Sequence, residues 1–234
     1  MTTPAEPHVA EPGTGPLIGA ALAAGLVAAA LALALFVWLG FQVRSGTPTA
    51  FDLAGRAGLR SLASPELSAL MWGASVYGAP VRLSPLGLLA AAVFLYRGWR
   101  RGALLVIVTL AGAWVLDTGL KMLFARARPQ PFFDYYPAPE SYSFPSGHAL
   151  FAVCFFGGLA VLLTHRLNGR AAQAVVWVAA LAVILLIGSS RVYLGVHYPT
   201  DVGGGFAVGV IWVTAVALGD RLAEHSRRPS RATL

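Results

Sequence analysis

Apolar residues in this chain come in long runs, with polar residues confined to the stretches between them. Residues 17–41 contain no charged side chain and end in Phe36-Val37-Trp38-Leu39-Gly40-Phe41. As a helix this run is about 37 Å long, enough to cross a hydrocarbon core of about 30 Å with tilt, and its terminal aromatics suit a membrane interface. Similar runs recur at about 102–124, 145–164, 171–188 and 200–220. Residues 64–96 are too long for one ordinary span and hold Glu66, Arg82 and prolines at 65, 80 and 85. They read as a second span broken near Gly78–Pro85, with two short re-entrant pieces as the other reading. The pattern predicts an all-α integral membrane bundle of six transmembrane helices. Between the first two spans, Arg56 and Arg60 stand four apart, the spacing of an amphipathic helix lying at the interface; an ordinary polar loop is the other reading.

Composition supports the membrane assignment. Hydrophobic residues make up 57% of the chain and charged residues 12%, against about 25% charged in an average soluble domain. Residues 1–16 are rich in Pro, Gly, Thr and Ala and are expected to form a disordered tail without the basic segment of a signal peptide. The membrane domain is expected over 17–223, and 224–234 form a basic tail. The net charge is +7, with sixteen Arg to one Lys. These basic residues sit at the ends of spans and not along one polar face, which signals topology and attraction to anionic lipid and argues against nucleic acid. The Arg bias with abundant Ala and Gly points to a GC-rich bacterial genome. Cys154 is the only cysteine and lies in an apolar run, so no internal disulfide and no cysteine metal site can form.

The turns at 97–101 and 165–170 and the C-terminal tail carry nine arginines. The positive-inside rule therefore puts both termini in the cytoplasm. Span three then ends, span four begins, span five ends and span six begins on the outer face. Lys121, Arg126, Arg128, Ser146, Gly147, His148, Arg191, His197 and Asp201 all fall there. Ionisable residues at the edge of apolar helices are costly and mark function by default. Pro199 suits the first turn of a helix, which leaves His197 just outside the helix start and Asp201 within bonding reach of its imidazole. A histidine held by a carboxylate beside an arginine is a nucleophile or base directed at an anion. Pro145-Ser146-Gly147 at a helix start adds free N–H groups and the positive end of the helix dipole, and Gly147 lets backbone approach a ligand. Arg126 reads either as a contact for a second phosphate or as an interface residue.

Three motifs in order, Lys121-x6-Arg128-Pro129, Pro145-Ser146-Gly147-His148 and Ser190-Arg191-x5-His197-x3-Asp201, resemble the signature of the type 2 phosphatidic acid phosphatase family, the lipid phosphate phosphatases. The resemblance implies that His197 attacks phosphorus and becomes a phosphohistidine, and that Asp201 fixes its tautomer. It implies that His148 protonates the leaving oxygen and later activates water. Lys121, Arg128, Arg191, Ser146 and Gly147 would hold the phosphoryl oxygens. No cofactor is implied, and these cations do the charge work that a metal would otherwise do.

The expected function is metal-independent hydrolysis of a lipid phosphomonoester or diphosphate at the outer face of the cell membrane. A polyprenyl diphosphate, phosphatidylglycerol phosphate and phosphatidic acid are the candidate substrates, with Arg126 and the outward-facing site leaning the choice slightly toward a diphosphate. The expected partners are the lipid phosphate and membrane lipids, and the oligomeric state is left open. Phosphotransfer from the same site and a non-catalytic lipid or anion transporter are the competing functions. A vanadate haloperoxidase would share such a pocket but would be soluble and larger. Transporters gather charge near the midplane, often in repeats; here the charges gather at one end.

Overall fold

The computed structural model describes residues 15–134, 136 and 139–227, and every described element is helical. Helix α1 is Gly15–Val43, α2 Ala50–Ser61, α3 Pro65–Tyr77 and α4 Pro80–Tyr96. Helix α5 is Arg100–Phe124, α6 Gly147–Thr164 with a π turn at Val153–Gly157, α7 Arg170–Tyr193 and α8 Pro199–Arg227. Five of these helices are long and apolar enough to cross a membrane, and the pair α3–α4, bent by 57°, makes a sixth span if taken as one. The expected N-terminal tail lies outside the described residues except for 15 and 16, which are already in α1. At the other end α8 continues to Arg227, and the last seven residues lie outside the described part.

The break expected between Gly78 and Pro85 exists, and it is short. Helix α3 ends at Tyr77 and α4 restarts at Pro80, where a missing N–H costs nothing. A Cβ on Gly78 would lie 2.6 Å from Ile187 of α7, so the break is pressed against that helix. Helix α3 leans on α7 while α4 runs along α5, and the bend carries the span from one to the other.

Lipid is as apolar as leucine, so burial of apolar area cannot hold this bundle together; close packing over small residues does. Gly112 lies under Trp212, whose indole N–H donates to the Thr109 carbonyl at 2.9 Å. A Cβ on Gly205 of α8 would lie 2.4 Å from the Ser146 carbonyl at the start of α6. This is a backbone-to-backbone approach that no side chain permits. Leu83, Leu110, Leu150, Phe151 and Phe155 form the central core. At the end where α1 meets the loop before α6, Phe36 stacks on Phe144 and Phe124 meets Phe144 edge-on, which anchors that loop beside the N-terminus of α6.

Candidate active site

The C-terminal ends of α5 and α7, the N-terminal ends of α6 and α8, and the connections 125–146 and 194–198 converge at one end of the bundle. Pro199 is the first residue of α8, as its sequence context predicts, so His197 stands two residues before the helix and Asp201 in its first turn. Both are buried, His197 at 1% and Asp201 at 0% exposure.

The hydrogen bonds determine which ring nitrogen of His197 is free. Arg128 Nη1 lies 2.8 Å from Nε2. Arginine can only donate, so Nε2 accepts and the ring proton sits on Nδ1. Nδ1 faces Asp201 Oδ2 at 3.3 Å, and the Ser143 backbone carbonyl also accepts from the ring. Asp201 Oδ2 is further held by the Tyr198 N–H at 2.8 Å and by the Ser143 hydroxyl at 2.5 Å. Asp201 thus orients the ring in partnership with Ser143 and not alone.

Burial, then the charges of Arg128, Arg191 and Lys121, push His197 well below the ordinary imidazole value of 6.5. Between its folded value and 6.5 the unfolded chain binds the proton and the folded chain does not. Falling pH in that window therefore costs stability, while the folded ring keeps its lone pair. The expected result is a His197 imidazole that stays neutral at pH 6, read by ¹⁵N NMR of histidine-labelled protein; half-protonation at pH 6.5 would contradict the geometry.

Arg128 is held in place from several sides. Nε donates to the Ser141 carbonyl at 2.5 Å, Nη1 to the Val196 carbonyl at 2.9 Å, and Nη2 to the Ser141 hydroxyl at 3.0 Å and the Tyr142 carbonyl at 3.1 Å. Burial, then Arg191, push its guanidinium down to about 10, which leaves it charged at neutral pH. Lys121 donates to Asp117 Oδ2 at 2.8 Å, one turn back on α5. Arg191, 2% exposed near the end of α7, donates to the Ser75 hydroxyl of α3 and to the Tyr136 hydroxyl. His148 is half-buried in the first turn of α6, bonded to the Ser75 backbone carbonyl and within electrostatic reach of Arg191, His197 and Lys121. Ser146 precedes α6, and its buried hydroxyl has no bonding partner among the described residues. Its N–H donates to the Asp201 carbonyl at 2.9 Å, which ties the start of α6 to α8. The structure thus brings together every site residue that the motifs predicted.

One sequence reading needs correction. Arg126 does not face a second phosphate. Its side chain is fully buried, bonded to Asp201 Oδ1 at 2.6 Å and Asp52 Oδ2 at 2.8 Å, and lies over the Tyr198 ring at 4.2 Å. The lean toward a diphosphate that rested on it falls. Gly147 also meets a packing requirement: a Cβ there would lie 2.7 Å from Asp117 Oδ1, so the glycine admits the carboxylate that holds Lys121.

Sequence reasoning also missed residues. Of the two readings of the stretch between the first two spans, an amphipathic surface helix or a polar loop, the helix forms, but its Asp52 is fully buried beneath the site. Its one signal was Thr49-x-x-Asp52, a capping box that does form. Ser143, Ser75 and Tyr136 had no signal, since each meets its partner across at least 55 residues of chain.

An apolar bundle of this length, with cations and two histidines gathered at one end, defines a multi-pass membrane protein built to receive an anion there. The sequence pattern of the PAP2 superfamily matches residues 102–221. Phosphatidylglycerophosphatase B of Bacillus subtilis is 36% identical over 151 residues, 63% of this chain and 72% of that protein. Undecaprenyl-diphosphatase of Sulfolobus acidocaldarius is 30% identical over 156 residues, 65% of this chain and 69% of that protein. Among solved structures, a transmembrane PAP2 type phosphatidylglycerolphosphate phosphatase from Bacillus subtilis superposes with a TM-score of 0.70 at 30% identity, covering 87% of this chain and 98% of that one. The chain belongs to the PAP2 superfamily, as an enzyme of the lipid phosphate phosphatase class.

Proposed function

We propose that this phosphatase removes phosphate from a phospholipid at the outer face of the membrane, through a phosphohistidine on His197 and without a metal. The observation that carries the reading is the 2.8 Å contact of Arg128 Nη1 with His197 Nε2, with Asp201 on the opposite ring nitrogen. It puts a guanidinium where the phosphoryl oxygens must lie if Nε2 is to reach phosphorus. An incoming phosphoryl group takes the Arg128 N–H from Nε2 and frees the lone pair.

In the first half-reaction Nε2 of His197 attacks phosphorus, the P–O bond to the lipid breaks, and His148 gives its proton to the leaving oxygen. The phosphorylated ring keeps its Nδ1 proton and is cationic, steadied by Asp201. In the second, water gives a proton to His148 and attacks phosphorus, the P–N bond breaks, phosphate leaves and Nε2 regains its lone pair. Lys121, Arg128 and Arg191, with the Ser146 hydroxyl and the Gly147 N–H at the start of α6, hold the phosphoryl oxygens. Preorganised donors of this kind are usually the largest catalytic term, and the acid–base histidine adds about 10²–10⁴-fold.

Phosphatidylglycerol phosphate is the first candidate substrate, because the relative named for it matches at 36% identity and its namesake structure is covered over 98% of its length. A polyprenyl diphosphate is the second and phosphatidic acid the third. The test is phosphate release by purified protein from these three lipids in EDTA. Release from phosphatidylglycerol phosphate at full rate is expected. Loss in EDTA with recovery in magnesium would overturn the metal-free mechanism. In right-side-out vesicles added lipid phosphate should be hydrolysed while a C-terminal tag stays protected from protease; a cleaved tag would reverse the orientation.

A further inference from the structure

Helix α2 presents a stripe of charged residues, Asp52, Arg56 and Arg60, four apart on the side facing the site. Arg56 donates to the Gln130 and Gly195 carbonyls at 2.7 and 3.2 Å and lies 4.5 Å from the Phe132 ring centroid, while Arg60 lies 4.4 Å from that of Phe133. These two contacts hold the helix down. Asp52 goes deeper. Its Oδ1 accepts from the Thr200 N–H at 3.0 Å and hydroxyl at 2.7 Å, and its Oδ2 accepts from Arg126 Nη2 at 2.8 Å and the Thr49 N–H at 3.1 Å. Arg126 Nη1 in turn donates to Thr200 Oγ1 at 2.8 Å and Asp201 Oδ1 at 2.6 Å. A continuous chain thus runs from Asp52 through Arg126 to Asp201 and His197.

We infer that Asp52 is a positioning residue for the reaction, which balances the charge of Arg126 so that the field of the Asp201 carboxylate reaches His197 uncancelled. The charge count carries the argument. Asp52, Arg126 and Asp201 sum to one negative charge, and all three side chains are fully buried. Without Asp52 the sum is zero, and the arginine that orients Asp201 also cancels its field at the ring. The phosphorylated imidazole is cationic and needs that field, whereas the substrate phosphate is held by other groups. Removing Asp52 therefore slows turnover and leaves binding alone.

This inference rests on His197 and Asp201 being the nucleophilic pair. The test is steady-state hydrolysis by full-length Asp52→Asn, with inorganic phosphate inhibition as the check on the anion site. A fall in kcat of about 10- to 100-fold is expected, the scale seen when an outer partner of a ligating histidine is removed. KM and phosphate inhibition should stay within about twofold, the scatter of a mutation that leaves uniform binding intact. Asp52→Asn/Arg126→Met restores the net charge and should recover part of the lost kcat, whereas a purely structural role predicts a further fall. Wild-type kcat in Asp52→Asn, or a raised KM with kcat unchanged, overturns the inference, as does a double variant slower than the single. Should Asp52→Asn fail to fold, Asp52→Glu, which keeps the charge but displaces the carboxylate, should hold kcat within about tenfold of wild type, and a larger loss overturns the inference. His197→Ala is run beside them. An active His197→Ala overturns the nucleophile assignment itself, while an inactive one beside a fully active Asp52→Asn overturns only the role of Asp52.

Discussion

Replacing His197 by alanine is expected to lower kcat for phosphate release by about 10⁴-fold or more, the scale on which enzymes lose rate when the nucleophile of a covalent mechanism is removed. No neighbouring group can stand in for it. Asp201 is turned away, with Oδ1 on Arg126 and Oδ2 shared among the Tyr198 N–H, the Ser143 hydroxyl and the His197 ring. His148 is assigned to the leaving oxygen and bonds the Ser75 carbonyl on α3. Substrate binding should survive, because Lys121 and Arg191 are held by Asp117, Ser75 and Tyr136 and not by His197. The variant should thus bind inorganic phosphate with nearly wild-type affinity, and acid-labile phosphate on the protein, trapped by rapid quench from labelled lipid, should disappear. Persistent labelling of His197→Ala would move the nucleophile elsewhere.

The motif residues were legible because the chemistry needs particular residue types at short spacings. The Pro199 helix start fixed the relation of His197 to Asp201 within five residues of chain, and local rules suffice at that range. The five long spans were legible because lipid imposes one period and a common minimum length on them. What stayed hidden was the support around the site. Asp52 looks from sequence like any acidic residue early in a surface helix, and its burial depends on Arg126, which lies 74 residues away. Arg126 itself sits two residues from the motif arginine Arg128, and spacing alone cannot tell a ligand contact from a counterion. Gly147 carries a constraint that its own neighbours in sequence do not show: Asp117, on a different helix, leaves no room for a Cβ there. Helix α7 also runs to Tyr193, about a turn beyond the expected 188, because Arg191 finds partners in Ser75 and Tyr136 that let a charge stay inside a helix at the membrane edge.

Asp201→Asn should then be nearly as damaging to turnover as loss of the nucleophile, lowering kcat by about 10³–10⁴-fold, as for the amide replacement of a carboxylate behind a catalytic histidine. The carboxylate accepts on both oxygens: Arg126 Nη1 at 2.6 Å on Oδ1, and the Tyr198 N–H at 2.8 Å and Ser143 hydroxyl at 2.5 Å on Oδ2. An amide has one accepting oxygen, so its NH₂ must face donors on one side or the other. Turned toward Arg126, it sets donor against donor and leaves a buried guanidinium with Asp52 as its only counterion. Turned toward His197, it donates to Nδ1 and drives the ring proton to Nε2, the atom that must attack. The first orientation costs stability, about 3–5 kcal/mol when one partner of a buried pair is removed; the second leaves the buried Tyr198 N–H without an acceptor, a smaller cost of about 1–3 kcal/mol, and takes its main toll on rate. The two separate by experiment. A variant with only a small loss of Tm and a ring proton moved to Nε2 by ¹⁵N NMR identifies the tautomer as the cause. A lowered Tm with the proton still on Nδ1 identifies the arginine. A variant with both Tm and kcat unchanged would show that Ser143, whose carbonyl also accepts from the ring, holds His197 without the carboxylate.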